Sequence, residues 1–482
     1  MQPLSLPREP AAHSFVAQGA GASFVASLSV DRRLAAADVA GDLAHVAMLQ
    51  AAGLLTRQEA KQVAAALRDC LSEIEAGTFP WDEALEDVHT NVEARVIALA
   101  GRAGEKLHAA RSRNDQVVLD ERLHLRLAIE GLLEAILPLQ RALLRQAEAA
   151  GPAIVPGYTH LQRAQPILLA HALLAHLWRL SRDADRLYDA FLRVNVSPAG
   201  AGAVAGTSLP VDPQIPAALL GFDRAFANSV DATSDRDFLV ETTGALALLA
   251  VHLSQLAEDL VLASTEEFGL ASLADGGVAG SSFLPNKRNP DVPELVRGTA
   301  GGVIGDLLAL LALLKGLPLG YSRDLQAGKA SAFHAIDATS AALAAMADVV
   351  AGLRFQDRAA AIAPAESAAL LVEYLVRKGV PHREAYETVK SHLPAIAASR
   401  DEPSALASLR AASRDFDEGA VALLRPSVAV AAVASPGGTG PEAVAHQVLE
   451  AEATLGRQSY HINLIAKKNR RISDLLSGEA GP

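Results

Sequence analysis

Apolar residues recur along this chain at the three- and four-residue spacing of helices, and strand-like alternation is scarce. Asp31–Gly53 and Thr56–Ala76 read as a pair of amphipathic helices. Asn114–Ala150 is one long helical pattern, bent at Pro138, and Gln165–Val194 is another with Pro166 close to its start. The run Ser234-Asp235-Arg236-Asp237 has the form of a capping box with Asp in place of Glu. The helix it opens extends to about Glu267, roughly 50 Å in length. Its stretch Gly244–Leu253 (GALALLAVHL) is apolar nearly all round, so other helices must enclose it. Pro290–Gly316 and Ala330–Leu353 extend the series. Leu375–Pro381 (LVRKGVP) ends one helix and begins another, and SPGGTGP (435–441) is a loop.

Composition agrees with the pattern. Half of the 482 residues are apolar but only 4% are aromatic, so Ala and Leu, strong helix formers and weak strand formers, fill the interior. The fold class is all-α. Helices this long cannot wrap a compact core from one chain, so they predict a central bundle completed by other subunits. The expected division is an N-terminal helical domain (1–112), a long-helix bundle (113–363) and a smaller C-terminal helical domain (364–482). A formal charge of −12 argues against a nucleic-acid or anionic-membrane binder. The single cysteine, Cys70, excludes an intrachain disulfide and a cysteine metal cluster, and points to a reducing, cytoplasmic setting. The start MQPLSLPREP does not carry the charged-then-apolar pattern of a secretory signal. Apolar runs such as Leu307–Leu314, bounded by Asp306 and Lys315, read as too short to span a bilayer.

Three polar segments interrupt the helices: HAARSRNDQ (108–116), GYTHLQR (157–163) and GSSFLPNKRNPD (280–291). Together they supply Arg, Lys, Asn, Thr and His donors, a set suited to a ligand with several carboxylates. In the third segment a helix begins near Asn289–Asp291, with Pro290 at a first-turn position. Its N-terminal partial charge and the Lys287 ammonium together favour an ionised hydroxyl at Ser281. The plain alternative is that Ser281 and Ser282 satisfy loop backbone. Glu294 also admits two readings, closing the helix start from capping-box spacing with Asp291, or orienting a histidine such as His160. His89 in EDVHTNVE is equally compatible with a structural and a supporting role. The glycines at 200, 202 and 206 follow a helix rather than a strand and lack the context of a dinucleotide fingerprint. Fourteen histidines include no HExxH-like pair, so no metal is expected.

Taken together, these segments resemble the argininosuccinate lyases of the aspartase/fumarase superfamily. GSSFLPNKRNPD resembles the superfamily signature loop, while ARSRNDQV and GYTHLQRAQPI are similar to the other two shared regions. EDVHTNVE (86–93), NSVDATSDRDF (228–238), GLPLGYSRDLQ (316–326), YLVRKGVP (374–381) and SPGGTGPEAV (435–444) extend the likeness from about Phe24 to about Val448. The resemblance implies a three-domain helical homotetramer in which each active site takes one signature region from each of three subunits. It implies reversible elimination of argininosuccinate to arginine and fumarate, with no metal or organic cofactor. By residue match, Ser281 removes the Cβ proton, and Lys287 and Asn289 hold the charged intermediate. His160, paired with Glu294, serves proton transfer to the departing nitrogen. Ser27, Arg113, Asn114, Thr159, Tyr321, Gln326 and Lys329 bind substrate.

The chain also departs from that pattern. It lacks a Trp-Gly-Gly-Arg-Phe segment near the N-terminus and has Val25 where Asn is usual. Ala109-Ala110 replaces Thr-Gly, Asn286 and Arg288 replace Gln and Lys, and Ala327-Gly328 replaces Glu-Asp. The fumarate-forming half stays intact, and the changes fall on the amine side. The competing reading is therefore a related lyase releasing fumarate from another N-substituted aspartate. A non-catalytic protein on the same scaffold ranks below it, because Ser281 and His160 are both present.

Overall fold

The structure, a computed structural model, describes residues 24–280, 282–399 and 401–479. It is all-α, with short two-stranded pairs at the helix junctions. Five long helices make the bundle: α4 (Arg113–Ala150), α5 (Leu169–Val194), α6 (Asp237–Ala263), α7 (Asp291–Leu314) and α8 (Gly328–Ala351). Helix α4 packs on α5 and α8, and α6 packs on α5, α7 and α8. Leu246, Leu249, Leu253, Leu343 and Met346 are buried in their shared core, as the all-round apolar pattern of α6 requires.

Before the bundle come α1 (Ala35–Ala51), α2 (Arg57–Glu75) and α3 (Val88–Ala100), which share a second core of Leu, Val and Ala side chains. A capping box at Thr56 starts α2: Thr56 Oγ1 accepts the Glu59 N–H (3.2 Å) and the Glu59 carboxylate accepts the Thr56 N–H (2.9 Å). After the bundle, α9 (Ala368–Arg377), α10 (His382–Ala397) and α11 (Glu402–Ala412) surround a third core that includes Leu371, Val389, Leu409 and Phe416. The last helix, α12 (Pro441–Ser477), packs along α4 and α5, with Val444, Leu455 and Ile465 in the bundle core.

The structure corrects several local expectations. Residues 165–168 are strand, not helix: β1 (Ile154–Thr159) and β2 (Gln162–Leu168) form an antiparallel hairpin, and α5 begins at Leu169. Pro166 biases Gln165 toward extended backbone, and pairing with β1 does the rest. Ser234 does not cap α6. Its hydroxyl donates back to Val230 O (2.8 Å), and the Asp235 carboxylate accepts the Asp237 N–H (2.7 Å) instead. At the start of α7 the boundary residue is Pro290, with no side-chain cap, so the capping reading of Glu294 fails. The glycines at 200 and 202 do cradle an anion, but it is the chain's own Asp115 carboxylate, which accepts both N–H groups (3.2 and 2.9 Å). Gly202 has φ of 63°, and a Cβ there would meet Gly206 O at 2.8 Å.

The reading of the apolar runs as too short to span a bilayer does not hold for the whole helices. Asp237–Ala263, Asp291–Leu314 and Arg323–Ala351 have the length and mean hydropathy to cross a bilayer. In α6 and in Arg323–Ala351 half of the apolar window is buried inside the protein, against 22% in α7. On α7, Leu295, Ile304, Leu308 and Leu311 face outward, with Leu295 73% exposed.

Candidate active site

Helix α4 starts at a polar corner. Ser112 and Asp115 form its capping box, with the Asp115 carboxylate accepting the Ser112 N–H (2.9 Å). Arg113 and Asn114 therefore sit in the first turn. Arg113 is half-buried and held from several sides. Its guanidinium donates to Gln116 Oε1 (2.9 Å), Thr90 Oγ1 (3.1 Å) and Glu93 Oε2 (3.3 Å), and Nε lies 3.8 Å from Asp87 Oδ2. Burial would raise the Asp87 and Glu93 carboxyls. His89 and Arg113 outweigh it at Asp87, and His108 and Arg113 at Glu93, so both stay below the usual range. Asn114 donates to Ala203 O (3.4 Å).

A second group gathers around Asp31. The Ser27 hydroxyl donates to its carboxylate, Gln326 Nε2 donates to it (3.3 Å), and Lys329 Nζ lies 2.5 Å from its Oδ1. Asp31 and Lys329 are both essentially inaccessible. Beside them runs a second buried pair, Glu121 Oε2 with Arg236 Nε at 2.7 Å. Burial raises the Glu121 carboxyl, opposed by Arg236 and Lys329. Tyr321 borders this group; burial raises its phenol, so the hydroxyl stays neutral and can donate. Opposite charges alternate here in a dry setting, where a charge left without its partner is costly.

Thr159 and His160 lie elsewhere, at the tip of the β1–β2 hairpin. Thr159 pairs with Gln162, so His160 and Leu161 form the two-residue turn. Both have positive φ (54° and 56°), the turn that suits strand twist but normally selects Asn or Gly. Keeping His and Leu there costs on the order of 1–3 kcal/mol each, strain of the kind that collects at functional positions. Both side chains are exposed. The second strand of the hairpin is tied down at both ends: Arg163, close to the turn, donates to Ala361 O (2.6 Å), and Leu168 N at the base donates to Thr439 Oγ1 (2.7 Å).

The signature loop projects from the start of α7. β3 (Ala279–Gly280) pairs antiparallel with β4 (Arg288–Asn289), and Lys287 N donates to Leu284 O (3.0 Å) to close the turn between them. Lys287 is exposed, Asn289 half-buried at the base, and Phe283 87% exposed. Ser281 lies outside the described residues. Glu294 is exposed, and its carboxylate lies 3.9 Å from Arg297. Within one chain and among the described residues, no hydrogen bond or ion pair joins His160 to Glu294.

One chain thus brings Ser27, Gln326 and Lys329 together at Asp31, with Tyr321 at the edge. Arg113 and Asn114 share the α4 corner. Thr159 and His160, and Lys287 and Asn289, stand on two separate projections.

Sequence reasoning missed Asp31, Glu121 and Arg236. Ser27 and Asp31, one helical turn apart, were the only local signal. It also left His89 open. The ring is fully buried, with Nδ1 2.9 Å from Asp38 Oδ1 and 3.2 Å from Asp120 Oδ2. Burial opposes the imidazolium, but Asp38 and Asp120 outweigh it and raise His89 to about 10. Among the described residues these three are the group whose donor atoms, within 4.8 Å of one another, could hold a metal ion. The protonated ring already answers the carboxylates, and Gln116 Nε2 donates to Asp38 as well (2.5 Å).

A bundle of long helices that displays polar loops at its junctions is an all-α scaffold, and a scaffold of this kind does not by itself fix an activity. A family model described as Lyase matches residues 19–305. The argininosuccinate lyase of Synechococcus sp. is 47% identical over 440 residues, covering 90% of each chain. That of Symbiobacterium thermophilum is 44% identical, covering 90% of this chain and 95% of its own. Among solved structures, an EDDS lyase in complex with formate superposes with a TM-score of 0.82 at 27% identity, covering 93% of this chain and 92% of that one. The chain belongs to the argininosuccinate lyase family, within the aspartase/fumarase superfamily.

Proposed function

We propose that this protein cleaves argininosuccinate reversibly to L-arginine and fumarate. The observation that carries the reading is the clustering of Ser27, Gln326 and Lys329 about Asp31, beside Tyr321, while the His160 hairpin and the 282–289 loop stand clear of it. Relatives that carry the name argininosuccinate lyase over nine-tenths of the chain support it. In the proposed reaction the Ser281 oxygen takes the proton from the succinyl Cβ. The electron pair of that C–H bond moves into the neighbouring carboxylate, and Lys287 and Asn289 hold the resulting dianion. The pair then returns to form the C=C bond of fumarate as the C–N bond breaks. The departing nitrogen takes its proton from His160, oriented by Glu294. Arg113, Asn114 and Thr159 hold the substrate carboxylates. The reaction calls for no cofactor or metal.

The assembly is part of the proposal. Outward-facing Leu295, Ile304, Leu308 and Leu311 support a homotetramer whose α7 helices pack together, rather than a lipid contact. Such packing brings the hairpin of one copy and the loop of another to the Asp31 group of a third. A cytoplasmic location and a domain division near 112/113 and 363/364 complete the reading; the core of α9–α11 is confined to residues beyond 363 and supports the second boundary, whereas the core of α1–α3 also takes in Leu119, Leu123 and Phe333 of the bundle, so the first boundary rests on the start of α4 at Arg113.

The test is a substrate panel without added metal, reading fumarate by its ultraviolet absorbance. Release of arginine and fumarate from argininosuccinate is expected. Turnover of another N-substituted aspartate alone, the outcome the Ala327-Gly328 departure leaves open, overturns the substrate and keeps the lyase.

A further inference from the structure

Glu86 stands out among the non-glycine residues with positive φ. Its φ of 68° and ψ of −61°, with Asp87 N donating to Leu85 O (2.7 Å), make it the centre of a γ-turn of the rare, strained hand. The turn aims both halves of the residue at other segments. Its carbonyl accepts the N–H groups of Ser27 (2.8 Å) and Leu28 (3.1 Å), fixing the turn that presents the Ser27 hydroxyl. Its carboxylate holds Arg323 Nη2 at 2.5 Å, and the same Nη2 donates to Val25 O (2.8 Å). Arg323 opens the 3-10 turn Arg323–Ala327, which contains Gln326 and leads into Lys329; Tyr321 lies two residues before it. On the other side, Asp87 accepts the Thr90 N–H (2.7 Å) at the start of α3, and Thr90 Oγ1 accepts from Arg113.

We propose that Glu86 is a positioning residue for the lyase reaction, its carbonyl registering the Ser27 turn and its carboxylate, through Arg323, registering the Tyr321–Lys329 segment. The inference rests on the substrate site proposed above. A strained conformation persists where its surroundings over-determine it, and three segments of that site meet at this one residue. Burial offers no competing explanation. The Glu86 side chain keeps 19% of its exposure and Arg323 keeps 49%, so the ion pair adds little to stability.

Glu86→Gly separates the two roles. Glycine adopts the backbone conformation without strain and loses the carboxylate. The denaturation midpoint should therefore hold or rise. Misplacement of the Tyr321–Lys329 segment should lower kcat/KM by about 10²-fold, with KM carrying part of the loss. Glu86→Gln, which keeps shape but not charge, should fall between, and Glu86→Asp should recover more activity than Gln. Unchanged kcat/KM in Glu86→Gly overturns the proposal. So does a loss of activity matched by an equal loss of folded tetramer, because that is a structural role. Every ratio is taken on a substrate the wild type turns over. A wild type inert toward all N-substituted aspartates overturns the function itself and the proposal with it, whereas an active wild type with an equally active Glu86→Gly overturns the proposal alone.

Discussion

The surroundings of Asp31 and the tip of the β1–β2 hairpin both carry residues implied in substrate handling, and they are built in opposite ways. Around Asp31 every charge has its counter-charge inside the same chain: Lys329 with Asp31, and Arg236 with Glu121, all but inaccessible to water. At the hairpin, His160 sits in a strained turn without a side-chain hydrogen bond among the described residues, and its side chain is exposed. The 282–288 stretch is equally exposed, just before α7 and its outward-facing Leu295, Ile304, Leu308 and Leu311. The first region has its geometry fixed within one chain; on the proposed assembly, the second would meet its partners on neighbouring copies. On the proposed reading, the binding half is pre-organised within one chain and the proton-transfer half is completed by its neighbours.

The strongest blow to this comparison is Ser281→Ala. If the open loop carries the base, turnover falls by about 10²–10⁴-fold, while light scattering gives the same particle size as wild type. Near-normal turnover removes Ser281 from the base role and leaves the loop without its chemistry.

Next in size is the contrast between a dry and a wet carboxylate. Asp31→Asn leaves the Lys329 ammonium buried without its counter-charge, a loss of about 3–5 kcal/mol. Glu294→Gln, on an exposed side chain 3.9 Å from Arg297, should cost less than about 1 kcal/mol. Denaturant midpoints on the two variants measure both. Equal costs break the comparison, because the Asp31 group is then no more enclosed than the α7 start.

A smaller and more specific effect sharpens it. Ser281→Ala and His160→Ala chains, each inactive alone, should recover activity when mixed under conditions of subunit exchange. With one group from each of two subunits, random mixing leaves roughly a quarter of sites intact. Exchange demonstrated by mass spectrometry without recovered activity places the hairpin and the loop in the same subunit's site.

The long helices were legible because apolar spacing on a helix is a local property: α4 begins one residue from the predicted Asn114, and α2 from the capping box at Thr56. The hairpin was not legible. Gln162–Leu168 carries no clear alternation, and its strand character comes from pairing with Ile154–Thr159. The cap of α6 was misread for a similar reason: Ser234 and Asp235 both offer an oxygen, and the preceding short helix Ser229–Ser234 takes the serine. In the site, dense hydroxyls and cations on loops drew attention to the three polar segments. The partners of those groups did not show, because Asp31 and Lys329, or Glu121 and Arg236, meet across a hundred or more residues with no shared spacing.

The last and smallest prediction concerns pH. His89 is buried between Asp38 and Asp120. Its carboxylate neighbours raise it from the ordinary imidazole range to about 10, against the pull of burial. Asp120 is raised too, by burial first and by Asp38 second. Both groups bind protons more tightly in the folded chain than in the unfolded one. Each contribution is therefore complete below the group's unfolded value and is lost as pH rises, for His89 between the ordinary imidazole range and about 10. Asp38 works at the other end. His89 holds it down to about 2 despite burial, so its share is lost only as pH falls from the ordinary carboxylate range toward that value. Stability from this trio should be greatest near the ordinary carboxylate range and decline as pH rises through neutral toward about 10. In His89→Gln the decline between neutral pH and about 10 should be shallower, read from denaturant midpoints at a series of pH values. An unchanged alkaline slope means that the ring is neutral in the folded protein, and that the enclosed charge balance seen around Asp31 does not extend to this second buried group.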